Sequence, residues 1–167
     1  MSSTMKIEYY YSGYSAYAYL GNAEMHAIAR RCAATIKYIP MDLRAVMPAA
    51  GSQVFGNRSQ AHKDYFFGRE MICWAEHRGL EMMDRTPTHH ANDITLSNCL
   101  LIAADKSGVN MENLTNTMMY AHWVEDADLD NESTLLQICK DASVDGTALL
   151  AEAKKPEILK IYQSNTQ

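Results

Sequence analysis

Two periodicities divide this chain. From Met5 to Tyr11, the residues Ile7, Tyr9, Tyr10 and Tyr11 have the aromatic and β-branched character of a strand, and Ser12-Gly13 punctuates its end. The period then changes. Ala16, Leu20, Ala23 and Ala27, joined by Ile28, recur at helical spacing and predict one buried face on a helix reaching about Cys32. Thr35 to Ile39 is a second short strand, closed by Pro40. Strand, helix and strand in direct succession form a βαβ unit, whose crossover joins parallel strands.

Beyond this unit the strand signal disappears. Met47 to Ser59, with Pro48, Gly51, Gly56 and Asn57, reads as an irregular loop. Phe67, Met71, Trp74 and Ala75 then make an apolar stripe that ends at Gly79, where a left-handed cap is expected. After a break from Pro87 to Asn92, Asp93 can cap a helix carrying Leu96, Leu100, Ala103 and Ala104 up to Gly108. Asn110 can cap the next, with Leu114, Met118 and Ala121 inward. Asp126 to Asn131 is an acidic turn.

Two shorter helices follow, with Leu135, Ile138, Cys139 and Ala142 on one and Leu149, Leu150 and Ala153 on the other, the second opened by Asp145. Pro156 suits the first turn of a last helix, whose pattern of Ile158, Leu159, Ile161 and Tyr162 still holds near Gln167 with no cap in view. The expected architecture is α/β: an N-terminal unit over residues 1–46, a connecting loop over 47–61 and a helical region over 62–167. Two strands alone rarely make a stable sheet, so such an arrangement reads as incomplete.

Composition narrows the function. With 167 residues, 47% of them hydrophobic, the chain has the content of one globular core, and a net charge of -5 argues against binding to a phosphate backbone. No stretch is long and apolar enough for a bilayer span, and the first residues do not resemble a secretion signal, so the expected location is cytoplasmic. Cys32, Cys73, Cys99 and Cys139 are far apart, with no C-x-x-C pair, and read as reduced thiols packed as small hydrophobes. His89-His90 beside Asp93, and His122 with Glu125, lack the spacing of a metal-ligand pair. No metal is expected, and surface or capping roles are expected for these histidines.

The position with chemical promise is Ser15, between the first strand and the first helix. Backbone N–H groups and the positive end of the helix dipole converge there, favouring an anion or a hydrogen-bond acceptor beside the hydroxyl. Serine is also among the best simple helix caps, and the residues alone leave both readings open. Tyr17 and Trp74 are candidates for an apolar substrate pocket, although helical spacing favours core for both.

Ser15-Ala16-Tyr17-Ala18-Tyr19-Leu20 resembles the S-P-Y-x-Y-L element of 2-hydroxychromene-2-carboxylate isomerases and kappa-class glutathione transferases, with Ala16 in place of the proline. These belong to the DsbA-like branch of the thioredoxin superfamily. Ile39-Pro40 matches the end of that family's second strand. Arg69 to Gly79, with Trp74-Ala75, matches its R-D/E-x-x-x-W-A helix, and Ala121 to Glu125 with Asp128-Leu129 matches its acidic turn. The likeness covers essentially the whole chain in order.

The resemblance implies a thioredoxin-like βαβ unit with a large helical insertion, glutathione as cofactor, and a homodimer. It implies that Ser15 hydrogen-bonds the glutathione thiol and favours its thiolate. The implied reaction is cis-trans isomerisation of an unsaturated aromatic pyruvate by thiolate addition and elimination. An asparagine after the second strand touches glutathione in the family. The loop here is longer, and both Asn57 and Ser52 are candidates. The family's cis-proline loop, last two strands and terminal helix have no counterpart before Gln167, so the chain reads as C-terminally truncated, with weak or no glutathione binding expected. A glutathione transferase is an alternative that the same resemblance implies, and two others stand beside the isomerase. A disulfide oxidoreductase is opposed by the missing C-x-x-C, because Ser15 cannot form a mixed disulfide. A non-catalytic helical interaction module would leave Ser15 as a cap only.

Overall fold

The computed structural model describes residues 5–53 and 55–167. Strands β1 (Lys6–Tyr11) and β2 (Thr35–Pro40) pair in parallel, and α1 (Ala16–Arg31) makes the crossover. The register sets Tyr9 beside Tyr38 and Glu8 beside Lys37. Period-two alternation then sorts the faces. Tyr9 and Tyr11 stack with ring centroids 4.5 Å apart on the covered side, and Tyr38 meets both edge-on. On the exposed side Lys37 Nζ donates to Glu8 Oε1 at 3.1 Å.

The buried stripe of α1 differs from the expected one. Ala16, Tyr19, Leu20, Asn22, His26 and Ala29 face inward, whereas Ala23 and Ile28 are exposed. An apolar count could not find this face because two of its members are polar. Both find partners inside: Asn22 Nδ2 donates to Thr115 Oγ1 at 3.2 Å and to Asn116 Oδ1 at 2.6 Å, and His26 lies 3.5 Å from the Tyr38 hydroxyl.

After β2 the expected loop is partly helical. Asp42 accepts hydrogen bonds from the backbone N–H groups of Arg44 and Ala45 and so starts α2 (Leu43–Ala49). The boundary drawn at residue 46 falls inside this helix. Pro48, which lacks an N–H to continue the ladder, lies one residue before its end. A 3-10 turn (Phe55–Asn57), α3 (Gln60–Tyr65) and a π-helical turn (Phe66–Glu70) lead into α4 (Met71–Arg78), which Gly79 closes with φ 65° as expected.

Helix α5 (Thr95–Ser107) is the centre. Every residue from Ser97 to Ala104 is buried, and the helix touches α6 (Met111–Trp123), α8 (Gly146–Ala153), α9 (Pro156–Asn165) and β2. An apolar girth of this kind marks a helix surrounded on all sides rather than one with a single stripe. Helix α7 (Glu132–Asp141) packs on α6 and α8. The caps at Asn110 and Asp145 form as the sequence predicts, and Asp93 accepts from the Thr95 N–H. The end of α9 is not open. Thr166 Oγ1 donates to the Tyr162 carbonyl and accepts from the Asp42 N–H, while Asn165 Nδ2 donates to the Pro40 carbonyl. Of the four thiols, Cys99 and Cys139 are core residues. Cys32 and Cys73 are exposed, against the expectation that all four pack inside. No described helix is long and apolar enough to cross a membrane.

Two buried polar groups organise the helical layer. Asn98, in the middle of α5, accepts from the Gly13 N–H at 3.1 Å and bonds the Ser12 hydroxyl. Its Nδ2 also approaches the Tyr162 hydroxyl at 3.4 Å. His90 and His122 stack at 5.3 Å with Nδ1 and Nε2 3.0 Å apart, joining the segment before α5 to the end of α6. His122 is therefore buried and His90 half-buried, and neither is the surface or capping histidine the sequence suggested. Burial holds both below the usual imidazole range, His90 to about 3.

Removing the Asn98 side chain strands several buried donors and acceptors, so Asn98→Ala should lose roughly 3 kcal/mol of stability in urea titrations. Both histidines bind protons more readily unfolded than folded. Stability should be full above about pH 6.5 and should fall progressively as the pH drops toward 3. Thermal melts across that window should show the decline, and His90→Asn should flatten it.

Candidate functional site

The first helix starts where four residues are held from above. Ser15 N–H donates to the Ser12 carbonyl at 3.0 Å, forming a tight turn, and the Asn98 contacts fix its first half. Trp123 Nε1 donates to the Tyr14 carbonyl at 3.1 Å and fixes its second. Close approach requires glycine at position 13, because an added Cβ would lie 2.8 Å from Met118 Sδ and 3.2 Å from Leu101 Cδ1.

Ser15 is the N-cap of α1, with extended backbone and its Oγ accepting from the Ala18 N–H at 3.4 Å. Capping uses a lone pair of the oxygen. The hydroxyl hydrogen remains available to a further acceptor. The two readings of this serine, cap and chemical group, are thus compatible in one geometry.

Two cavities meet at Ser15. The first, about 140 Å³, lies between the start of α1 and the helical layer. Its walls are aromatic: Tyr14 from the turn before α1, Tyr17 from α1, Phe66 and Phe67 from the π-helical turn, His90, and Trp123 from α6. The wider π turn brings two consecutive phenylalanines, with rings 5.0 Å apart, onto the same cavity. Phe67 lies near-parallel to Trp123 at 6.3 Å, and His90 is 5.2 Å from Trp123 and 5.0 Å from Tyr14. Arg58, Leu43 and Met47 complete the lining. The second cavity, about 350 Å³, runs beside β1 and α1, past Tyr9 to Ser12, Gly21 and Met25. Ser15, Tyr17 and Leu43 line both.

Besides Arg58 in its wall, groups behind the wall shape the electrostatics of the cavity. The Arg44 guanidinium lies 4.7 Å over the Tyr14 ring and donates to the carbonyls of His90 and, at 2.8 Å, Asn92, clamping the 87–92 segment against α2. Burial raises the Tyr14 phenol above its usual range, and Arg44 opposes that rise. Tyr17 donates to Glu70 Oε1 at 2.7 Å, and burial first, then this carboxylate, push it up to about 12.

Of the residues nominated from sequence, the structure brings Ser15 and Tyr17 together. Tyr17 is not core, since 53% of it is exposed where it borders both cavities. Trp74 is neither core nor beside Ser15. It is 44% exposed and lines a separate surface cleft with Tyr65, Arg69, Glu70, Cys73 and His77. Ser52 and Asn57 are exposed and line neither cavity at Ser15; the neighbouring Arg58 does. Sequence reasoning missed Phe66, Phe67, His90 and Trp123. The adjacent Phe66-Phe67 pair was the one available signal, because two large rings in succession cannot share one face of an ordinary α-helix. No cluster of three or more metal-ligating side chains occurs among the described residues.

No curated protein matches the chain. Among solved structures, one described as selenomethionine 2-hydroxychromene-2-carboxylate isomerase superposes with a TM-score of 0.77 at 20% identity, over 97% of this chain and 77% of that one. This likeness shows the fold: a thioredoxin-like α/β unit with a helical insertion. The family model for the DSBA-like thioredoxin domain matches residues 6–167, so the chain belongs to the DSBA-like thioredoxin domain family.

Proposed function

We propose that this protein is a glutathione-dependent cis-trans isomerase acting on an unsaturated aromatic pyruvate. The observation that supports it best is the placement of the Ser15 hydroxyl at the N-terminus of α1, on the rim shared by an aromatic cavity and a longer groove. The donor set fits a thiol cofactor. Ser15 keeps its hydroxyl hydrogen for a sulfur, and the first backbone N–H groups of α1 add positive potential.

Bound glutathione supplies a thiol whose reversible addition to a C=C bond makes rotation about that bond easy, with no net oxidation. The side chains do the rest. Ser15 donates to the sulfur and stabilises its anion, in the manner of an oxyanion hole. Phe67 and Trp123 take the flat aromatic portion of the substrate, and the cavity walls exclude water from the reacting carbons. Arg58, on the same cavity and bonded through Nη1 to His62 at 2.9 Å, gives a cationic counterpart to the carboxylate of a pyruvate.

Ser15→Ala should lower isomerase turnover about a hundredfold or more at saturating glutathione. The melting curve should show only the loss of a cap, about 1 kcal/mol. Activity equal to the native protein would leave Ser15 a cap and favour a non-catalytic interaction module.

A further inference from the structure

The protonation pattern of the two histidines follows from one backbone carbonyl. His122 Nδ1 lies 3.1 Å from the Ala127 carbonyl oxygen. A carbonyl only accepts, so His122 Nδ1 carries the hydrogen, and in a neutral ring Nε2 is the lone-pair atom. That atom faces His90 Nδ1 at 3.0 Å, so His90 Nδ1 carries a hydrogen and donates it. In the neutral His90 ring the remaining nitrogen, Nε2, is then an acceptor. His90 lines the aromatic cavity, and no described residue bonds its Nε2. Burial first, then His122 and Arg44, keep this ring neutral, down to about pH 3.

The cavity is therefore an aromatic box holding a fixed hydrogen-bond acceptor. At about 140 Å³ it is close to the size at which a protein cavity accommodates one benzene ring. Phe67 and Trp123, packed on each other at a centroid separation of 6.3 Å, give that ring aromatic surface to lie against on one side.

We propose that His90 is a specificity-determining residue, whose Nε2 accepts a hydrogen bond from a hydroxyl carried on the ring of an aromatic ligand. This rests on the cavity at Ser15 being the substrate pocket, as proposed above, and assigns to His90 the recognition of the ring hydroxyl. A ring without the hydroxyl leaves the acceptor desolvated and unpaired, which is the larger part of the discrimination.

Trp123 is in the wall, so binding can be read from its fluorescence in a Trp74→Phe background, with no turnover and no glutathione. Phenol should bind about tenfold more tightly than toluene, the worth of one well-made neutral hydrogen bond. His90→Asn keeps a donor toward His122 but deletes the acceptor, and should bring the phenol-to-toluene ratio near one while toluene affinity holds. His90→Gln, whose side-chain oxygen reaches toward the place of Nε2, should restore part of the preference. Nitrogen-resolved NMR of the imidazoles should show both His90 and His122 protonated at Nδ1. Equal affinity for the two ligands, no saturable binding of either, a preference that survives His90→Asn, or a proton on His90 Nε2 would each overturn the proposal. A separate calorimetric titration with glutathione reports on the isomerase reading, so failure of one can be told from failure of the other.

Discussion

The site depends on how Asn98 is used. Its carboxamide lies in the middle of a helix with no solvent contact, and its bonds to Ser12 and Gly13 hold the turn that launches α1. A buried amide left unpaired is costly, so the turn and α5 must dock together or not at all. Trp123 adds the second fixed point on the Tyr14 carbonyl. Through these two contacts the helical layer, and not the short sheet, decides where the serine hydroxyl stands.

The same layer also furnishes the cavity. Three of its parts, the π-helical turn, the 87–92 segment and the last turn of α6, converge on the start of α1 and bring rings from distant positions into contact. Arg44 ties the middle one to α2 through backbone carbonyls, and Asp126 ties the preceding residues to the end of α6 through Thr88 and Arg85. These polar bonds lie behind the aromatic wall.

What the sequence made legible follows from what is local. The parallel βαβ unit, the caps at Ser15, Asn110 and Asp145, and the left-handed stops at Gly79 and Gly108 all rest on short-range chemistry, and each is found where expected. The buried face of α1 was misjudged because Asn22 and His26 point inward to partners nearly a hundred positions away or on the neighbouring strand. The all-round burial of α5 could not be told from a single stripe by periodicity alone. Ser15 was found because a strand-to-helix junction is visible in sequence, whereas the pairing of His90 with His122 spans 32 positions and has no sequence period to announce it. Tyr17 and Trp74 show the same limit, since an aromatic on a helix gives no sign of which neighbour will cover it.

That the aromatic cavity and the groove beside β1 open onto one hydroxyl has a kinetic meaning. Two ligands seated in adjoining cavities need not displace each other, so both can be resident when bonds rearrange. Under the proposed reading, the reaction passes through a three-component complex, and a substituted-enzyme cycle, in which one reactant must leave before the next arrives, has no structural motive.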